Sequence, residues 1–150
     1  MEIEIWKDVP DYGNLYQASN LGRVKVKQRT VNKFHKCGKF ITQNYQEKTY
    51  MPKPDLNGYK RIHISVNHTK HKIFEHTFVL LAFVGKKPIG YEACHGDNNP
   101  SNNRVENLRW DSHFNNNQDR KRSGNYATGK DHPMWKNKEE LIKRGKQHGE

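Results

Sequence analysis

With 150 residues, of which 32% are hydrophobic, and a mean hydropathy of -1.17, the chain has material for one small domain with a thin core and extended arms. It holds no run of the ~18 apolar residues that a membrane span needs, and its N-terminus, "MEIEIWKDVP", has neither a basic nor an apolar leader region, so a cytoplasmic protein is expected. The net charge of +11 makes a polyanion the expected partner.

That charge is concentrated. Residues 23–48 carry eight Lys/Arg against Glu47, and residues 118–146 carry nine against four acids. Two basic blocks flanking a balanced middle suit a nucleic-acid grip on either side of a working centre, whereas a merely solvated basic face requires no such division. The two cysteines, Cys37 and Cys94, are 57 positions apart, which argues against a disulfide framework and paired zinc knuckles. No structural zinc is expected.

In chain order, "EIWKDVPDYGNLYQASNLGRVKV" reads as a short strand or extended piece, a turn at Pro10-Asp11-Tyr12-Gly13, and a second strand from Arg23 to Val26 after Asn20-Leu21-Gly22. Trp6, Val9, Tyr12, Leu15 and Tyr16 form a candidate aromatic cluster. From 27 to 53 the periodicity fades, and the segment reads as a basic linker or arm that orders on its partner. Asn57-Gly58 signals a turn, and "YKRIHISVN" after it alternates, placing Ile62, Ile64 and Val66 on one strand face. "NHTKH" then turns the chain. From Glu75 the period changes to that of a buried helix carrying Phe78, Val79, Leu81, Ala82 and Phe83, stopped by Gly85 and Pro88.

Next come the strand-like "GYEACH", an amide-rich loop, the strand-like "VENLRW", and "DSHFNNNQDRKR", where Asp111 or Ser112 can cap a helix. The tail after Ser123-Gly124 reads as an appended basic arm with one short helix.

The stretch "CHGDNNPSNNRVENLRW" holds five asparagines, and asparagine favours turns because its side chain bonds nearby backbone. A long ordered loop explains the amides but not Cys94-His95 before them. His95, Asp97, Asn102, Asn103, Glu106-Asn107-Leu108, Trp110 and Asn116 fall at spacings that resemble the HNH endonuclease motif, in the variant of phage and intron-encoded homing endonucleases. "EIWKDVPDYGNLYQASNLGRVKV" is similar to the N-terminal module that often precedes this variant. "NGYKRIHI" and "EHTFVLLAFVG" resemble the strand and helix leading into the motif, and "GKDHPMWK" is weakly similar to a short DNA-binding motif near the C-terminus of such enzymes.

The resemblance implies an α+β fold: a ββα-metal (His-Me finger) nuclease core at 54–122, a small β module and basic arm at 1–53 that binds DNA, and a basic C-terminal arm at 123–150. It implies a phosphodiester hydrolase that cuts or nicks double-stranded DNA with one divalent ion, Mg²⁺ or Mn²⁺, and no small-molecule cofactor, in the host cytoplasm if phage-encoded. His95 becomes the general base, Asn107 the loop-tying asparagine, and Asn116 the helix-borne metal ligand. His113, one turn earlier on the same helix, is the rival ligand. The residue before the base is often a polar metal ligand in the family; here it is Cys94, whose soft sulfur suits Mg²⁺ poorly. Asp97 shapes the turn or gives the ion an oxygen ligand, and His76 matches a family histidine without a derivable role.

Phosphate contacts are expected from Arg23, Lys25, Lys27, Arg29, Arg104, Arg109, Arg120, Lys121 and Arg122, contacts that position a protein without reading sequence. A non-catalytic DNA-binding protein that keeps the fold is the alternative. An RNA-binding protein uses the same charge but leaves the spacing from His95 to Asn116 unexplained.

Overall fold

The structure, a computed structural model, describes residues 2–12, 15–66 and 69–124. The expected C-terminal helix and "GKDHPMWK" lie outside the described residues, as do Gly13 of the first turn and Asn67-His68 of "NHTKH". The chain forms two compact units, the first ending at His113 and the second beginning at Phe114.

In the first unit, β1 (Trp6–Asp8), β2 (Tyr16–Ser19), β3 (Val24–Val26) and β6 (Lys48–Thr49) make an antiparallel sheet in the order β1-β2-β3-β6. β2 carries no clear sequence signal: "YQAS" has too few apolar positions to show a period, yet Tyr16, Ala18 and Ser19 are buried. Gly22 turns β2 into β3 at φ +89°, a conformation open to glycine at no steric cost.

Residues 27–53 are not a structureless arm. β4 (Arg29–Phe34) and β5 (Phe40–Tyr45) pair antiparallel from Arg29–Tyr45 to Phe34–Phe40. The hairpin is held by a polar face. Thr30 Oγ1 bonds Asn44 Oδ1 at 2.9 Å and Thr42 Oγ1 bonds Asn32 Oδ1 at 2.8 Å, cross-strand pairs that stabilise a sheet without burying apolar surface. Phe34 and Phe40 meet edge to face at the tip.

β7 (Arg61–Val66) follows the Asn57-Gly58 turn, as expected, and buries Ile62 and Ile64. Its partner is β8 (Thr69–Phe74), paired from Arg61–Phe74 to Val66–Thr69. Of the segment "NHTKH", expected to turn the chain, Thr69 onward belongs to β8, a strand without a hydrophobic signal because "TKHK" is polar throughout and exposed on both faces. α1 (Glu75–Phe83) starts where the period change places it, and ends as Val84 N–H and Gly85 N–H both bond Leu80 O. β9 (Tyr91–His95) pairs antiparallel with β10 (Leu108–Ser112), His95 lying opposite Leu108. Val105–Asn107 is a single 3₁₀ turn, so the strand read from "VENLRW" begins at Leu108. α2 (His113–Arg122) follows directly.

The boundary expected after residue 53 does not divide the core. Val9, Tyr16, Ala18 and Val24 pack with Ile62, Ile64, Phe78, Val79, Leu80 and Leu108 in one cluster. Burial of such side chains, at about 1.5–3 kcal/mol each, ties the N-terminal sheet to α1 and β10. Tyr16 sits at the joint, its hydroxyl donating to Ser65 O at 3.2 Å and accepting from Ser65 N–H at 3.1 Å. Its ring meets Phe78 edge to face.

Candidate active site

β9 and β10 are joined by residues 96–107, and a long polar loop needs partners for its backbone groups. Gly96 N–H bonds Asn107 O at 2.8 Å. The Asn107 amide then crosses the loop: Oδ1 accepts from Asp97 N–H at 3.0 Å, while Nδ2 donates to Asp97 Oδ1 at 2.9 Å and Asn102 O at 2.8 Å. Asp97 Oδ1 also accepts from Asn99 N–H at 2.8 Å, Oδ2 accepts from Asn102 Nδ2 at 2.7 Å, and Asn99 Oδ1 accepts from Ser101 N–H at 3.1 Å. The amides are the loop's internal scaffold. Partial burial raises the Asp97 carboxyl, but the bonds from Asn102, Asn99 and Asn107 outweigh it and hold the group below its usual range.

His95 ends β9 half-buried. Its Nε2 meets Asn103 Oδ1 at 3.1 Å, and Asn103 Nδ2 donates to Glu75 Oε2 at 2.9 Å. Glu75 and Asn103 are each 3% exposed. The His76 ring stands edge to face against His95 with centroids 5.0 Å apart, and Tyr59 lies 6.2 Å away.

These neighbours set the charge states. Burial lowers the His95 pKa, and the Asn103 bond and the Asp97 charge recover part of the loss. The imidazole is therefore neutral at neutral pH and able to take a proton. Burial raises the Glu75 carboxyl against the Asn103 bond and the Lys60 charge. Burial, and secondarily His95, push His76 down to about 4. His76 Nδ1 is buried with no hydrogen-bond partner among the described residues.

Cys94 is buried, its Sγ 3.7 Å from Glu92 O. His113, the rival ligand, bonds Glu92 Oε1 through Nδ1 at 3.0 Å. Asn116 lies on α2 in the second unit, as do Arg120, Lys121 and Arg122. Among the described residues no group of three or more His, Cys, Asp and Glu is placed to hold a metal.

The expected phosphate contacts are largely engaged within the chain. Arg23 pairs with Glu4, Lys25 with Glu47, Lys27 with Asp8, Arg104 with Glu2 and Glu106, Arg109 with Asp111, and Arg122 with Asp119. Arg29 lies over the Tyr45 ring. Residues 28–46, by contrast, hold no acid and add Lys33, Lys36 and Lys39 to Arg29. Sequence reasoning gave these three lysines and Glu75 no site role of their own, and named Asn103 within the motif without one. The lysines were countable in the basic block, but their shared hairpin was not.

Two family models match the chain in sequence: the NUMOD4 motif over residues 4–65 and HNH endonuclease over residues 74–118. Residues 74–118 are thus similar to the HNH endonuclease family, and residues 4–65 to the NUMOD4 motif. A solved structure titled "DNA binding and cleavage by the HNH homing endonuclease I-HmuI" matches with a TM-score of 0.63 and 27% identity, over 85% of this chain and 62% of that one. The chain thus spans less than two thirds of that relative's length. Comparison with curated proteins gave no match. The likeness supports the α+β, ββα-metal fold class, here with the NUMOD4 segment contributing to the same core as the HNH segment. Among the described residues no helix is long and apolar enough to cross a membrane.

Proposed function

We propose that the protein is a divalent-metal-dependent endonuclease that cuts or nicks double-stranded DNA, a homing endonuclease of phage or intron type. The observation that carries this reading is His95: a neutral, half-buried imidazole whose Nε2 is held by Asn103, leaving Nδ1 for a water. His95 takes the proton from the attacking water as it approaches the phosphorus. Asn107 keeps the loop behind His95 closed.

By the family resemblance, Asn116 would hold the ion through its amide oxygen, a hard donor suited to Mg²⁺ or Mn²⁺, and Cys94 would be a weaker second donor. When bound, the ion neutralises charge on the leaving oxygen. The cleaved strand keeps 5'-phosphate and 3'-hydroxyl ends. Arg29, Lys33, Lys36 and Lys39 grip backbone phosphates directly, while Arg23, Lys25, Lys27, Arg104 and Arg109 exchange their acidic partners for them. Arg120, Lys121 and Arg122 add charge at the end of α2.

Supercoiled plasmid incubated with Mg²⁺ or Mn²⁺ tests the reading: relaxed or linear product should form and should stop with EDTA. An intact plasmid that is nevertheless retarded in a gel shift would establish the non-catalytic DNA-binding alternative instead.

A further inference from the structure

We propose that Glu75 and Asn103 are positioning residues that set the tautomer of His95, and that the N-terminal sheet holds them in place; this rests on His95 being the base of the proposed nuclease. Donor and acceptor types decide the orientation. A carboxylate oxygen accepts, so Glu75 Oε2 at 2.9 Å turns the Asn103 amide until Nδ2 faces it. Oδ1 is then the atom left for His95, at 3.1 Å. A carbonyl oxygen cannot donate, so His95 must carry its proton on Nε2. Nδ1 keeps the lone pair.

Glu75 is well placed to act as the fixed end. It opens α1 on the first turn, its backbone N–H bonds Lys60 O at 3.0 Å, and it is 3% exposed. Asn103 is clamped from the other side. The Asn20-Leu21-Gly22 turn lies against it, and Asn20 O accepts from Val105 N–H at 2.9 Å, two residues beyond. Nothing in this chain of contacts requires DNA or metal. The N-terminal sheet therefore has a second task besides contacting a nucleic acid: it braces the amide that orients the base.

A carboxylate–amide–imidazole arrangement of this kind has a signature separate from activity. Long-range ¹⁵N–¹H correlation spectra of ¹⁵N-histidine-labelled protein at neutral pH, without metal, distinguish an imidazole protonated on Nε2 from one protonated on Nδ1. The wild type should show His95 protonated on Nε2. Asn103→Ala removes the acceptor and should give a mixture. Glu75→Gln keeps shape and volume but can donate as well as accept, so the Asn103 amide can turn either way and a mixture should again appear. Hydrogen-bond partners that orient a metal-ligating histidine are typically worth roughly 10- to 100-fold in activity, and a loss of kcat of that order is expected for both variants while the Kd for DNA stays unchanged.

If Asn103→Ala fails to fold, Glu75→Gln decides the matter by itself. A His95 that is protonated on Nδ1 in the wild type, or that remains wholly protonated on Nε2 in Glu75→Gln, overturns the proposal. The spectra are read without cleavage, so a protein that never cuts DNA would sink the nuclease reading and leave the tautomer result standing.

Discussion

A Cβ built on Gly22 would lie 2.6 Å from the carbonyl carbon of Asn103, 2.7 Å from its oxygen and 2.8 Å from its Cβ. The turn of the N-terminal sheet thus rests directly on the residue that bonds His95. Gly22 also sits at φ +89°, where an L side chain is strained. Both effects act against Gly22→Ala, and together they should cost on the order of 1–3 kcal/mol. Since the displaced group is backbone, Asn103 must shift, and nicking should fall more than binding does. Urea melts beside a nicking assay check this, and a Gly22→Ala variant as stable and active as wild type would mean the contact is slack.

Legibility differed by element for physical reasons. β7 was readable because Ile62 and Ile64 alternate with polar residues and are buried. β4 and β5 were not, because Thr30–Asn44 and Asn32–Thr42 hold them through hydrogen bonds, which leave no hydrophobic period. In the site, the spacing from His95 to Asn107 was visible and the loop architecture follows it. The bond between Asn103 and Glu75 spans 28 positions, and no local pattern relates an amide in a loop to the first residue of a helix. Folding creates that pair.

His95→Ala should abolish nicking and leave DNA affinity nearly unchanged, because a general base contributes roughly 10²- to 10⁴-fold to rate and its ring is half-buried against Tyr59 and His76. Parallel nicking and gel-shift titrations measure the two quantities. Wild-type nicking by the variant would remove His95 from the mechanism.

The acid-free hairpin makes salt dependence a local test. Each phosphate contact contributes about -0.9 to the slope of log K against log salt. Lys33, Lys36 and Lys39 carry no acidic residue on the same hairpin to compete with DNA. Changing all three to Gln should therefore flatten the slope by nearly 3, whereas Lys25→Gln, which also frees Glu47, should disturb it less cleanly. An unchanged slope in the triple variant would place the hairpin off the DNA.

Acid stability should depend on His76. Its pKa is 6.5 as a free group and about 4 in the fold, so the folded state refuses a proton that the unfolded state accepts. Stability is full above pH 6.5, declines as the pH falls towards 4, and by then has lost about 3 kcal/mol on a shift of this size. His95, 5.0 Å away and itself lowered by burial, acts in the same direction, while the neighbouring Glu75 is raised and acts in the opposite one. His76→Phe preserves the stacking on Phe74 and should flatten the stability curve between pH 6.5 and about 4. Urea denaturation at a series of pH values measures the slope, and a slope equal to wild type would show that His76 titrates normally.

Cys94 is where the chain departs most from what Mg²⁺ chemistry favours. The residue is 3% exposed, with its thiol directed at the Glu92 carbonyl at 3.7 Å. Cys94→Asp would put an acceptor-only group against that carbonyl in a site with little water, so the variant without metal should melt below wild type. If Cys94 faces the ion together with Asn116, the new hard oxygen should also bind Mg²⁺ more tightly. Mg²⁺ should then raise the melting temperature of Cys94→Asp by more than that of the wild type, and nicking should be kept or increased. On that proposed ligand set, a soft sulfur and an amide oxygen, the wild type should work at least as well with Mn²⁺ as with Mg²⁺, and Asn116→Ala should lose activity in both. A Cys94→Asp protein that melts low and is not rescued by Mg²⁺ would mean that Cys94 is a packed strand residue, as buried free cysteines often are, and that the ion's other ligands come from water and the scissile phosphate.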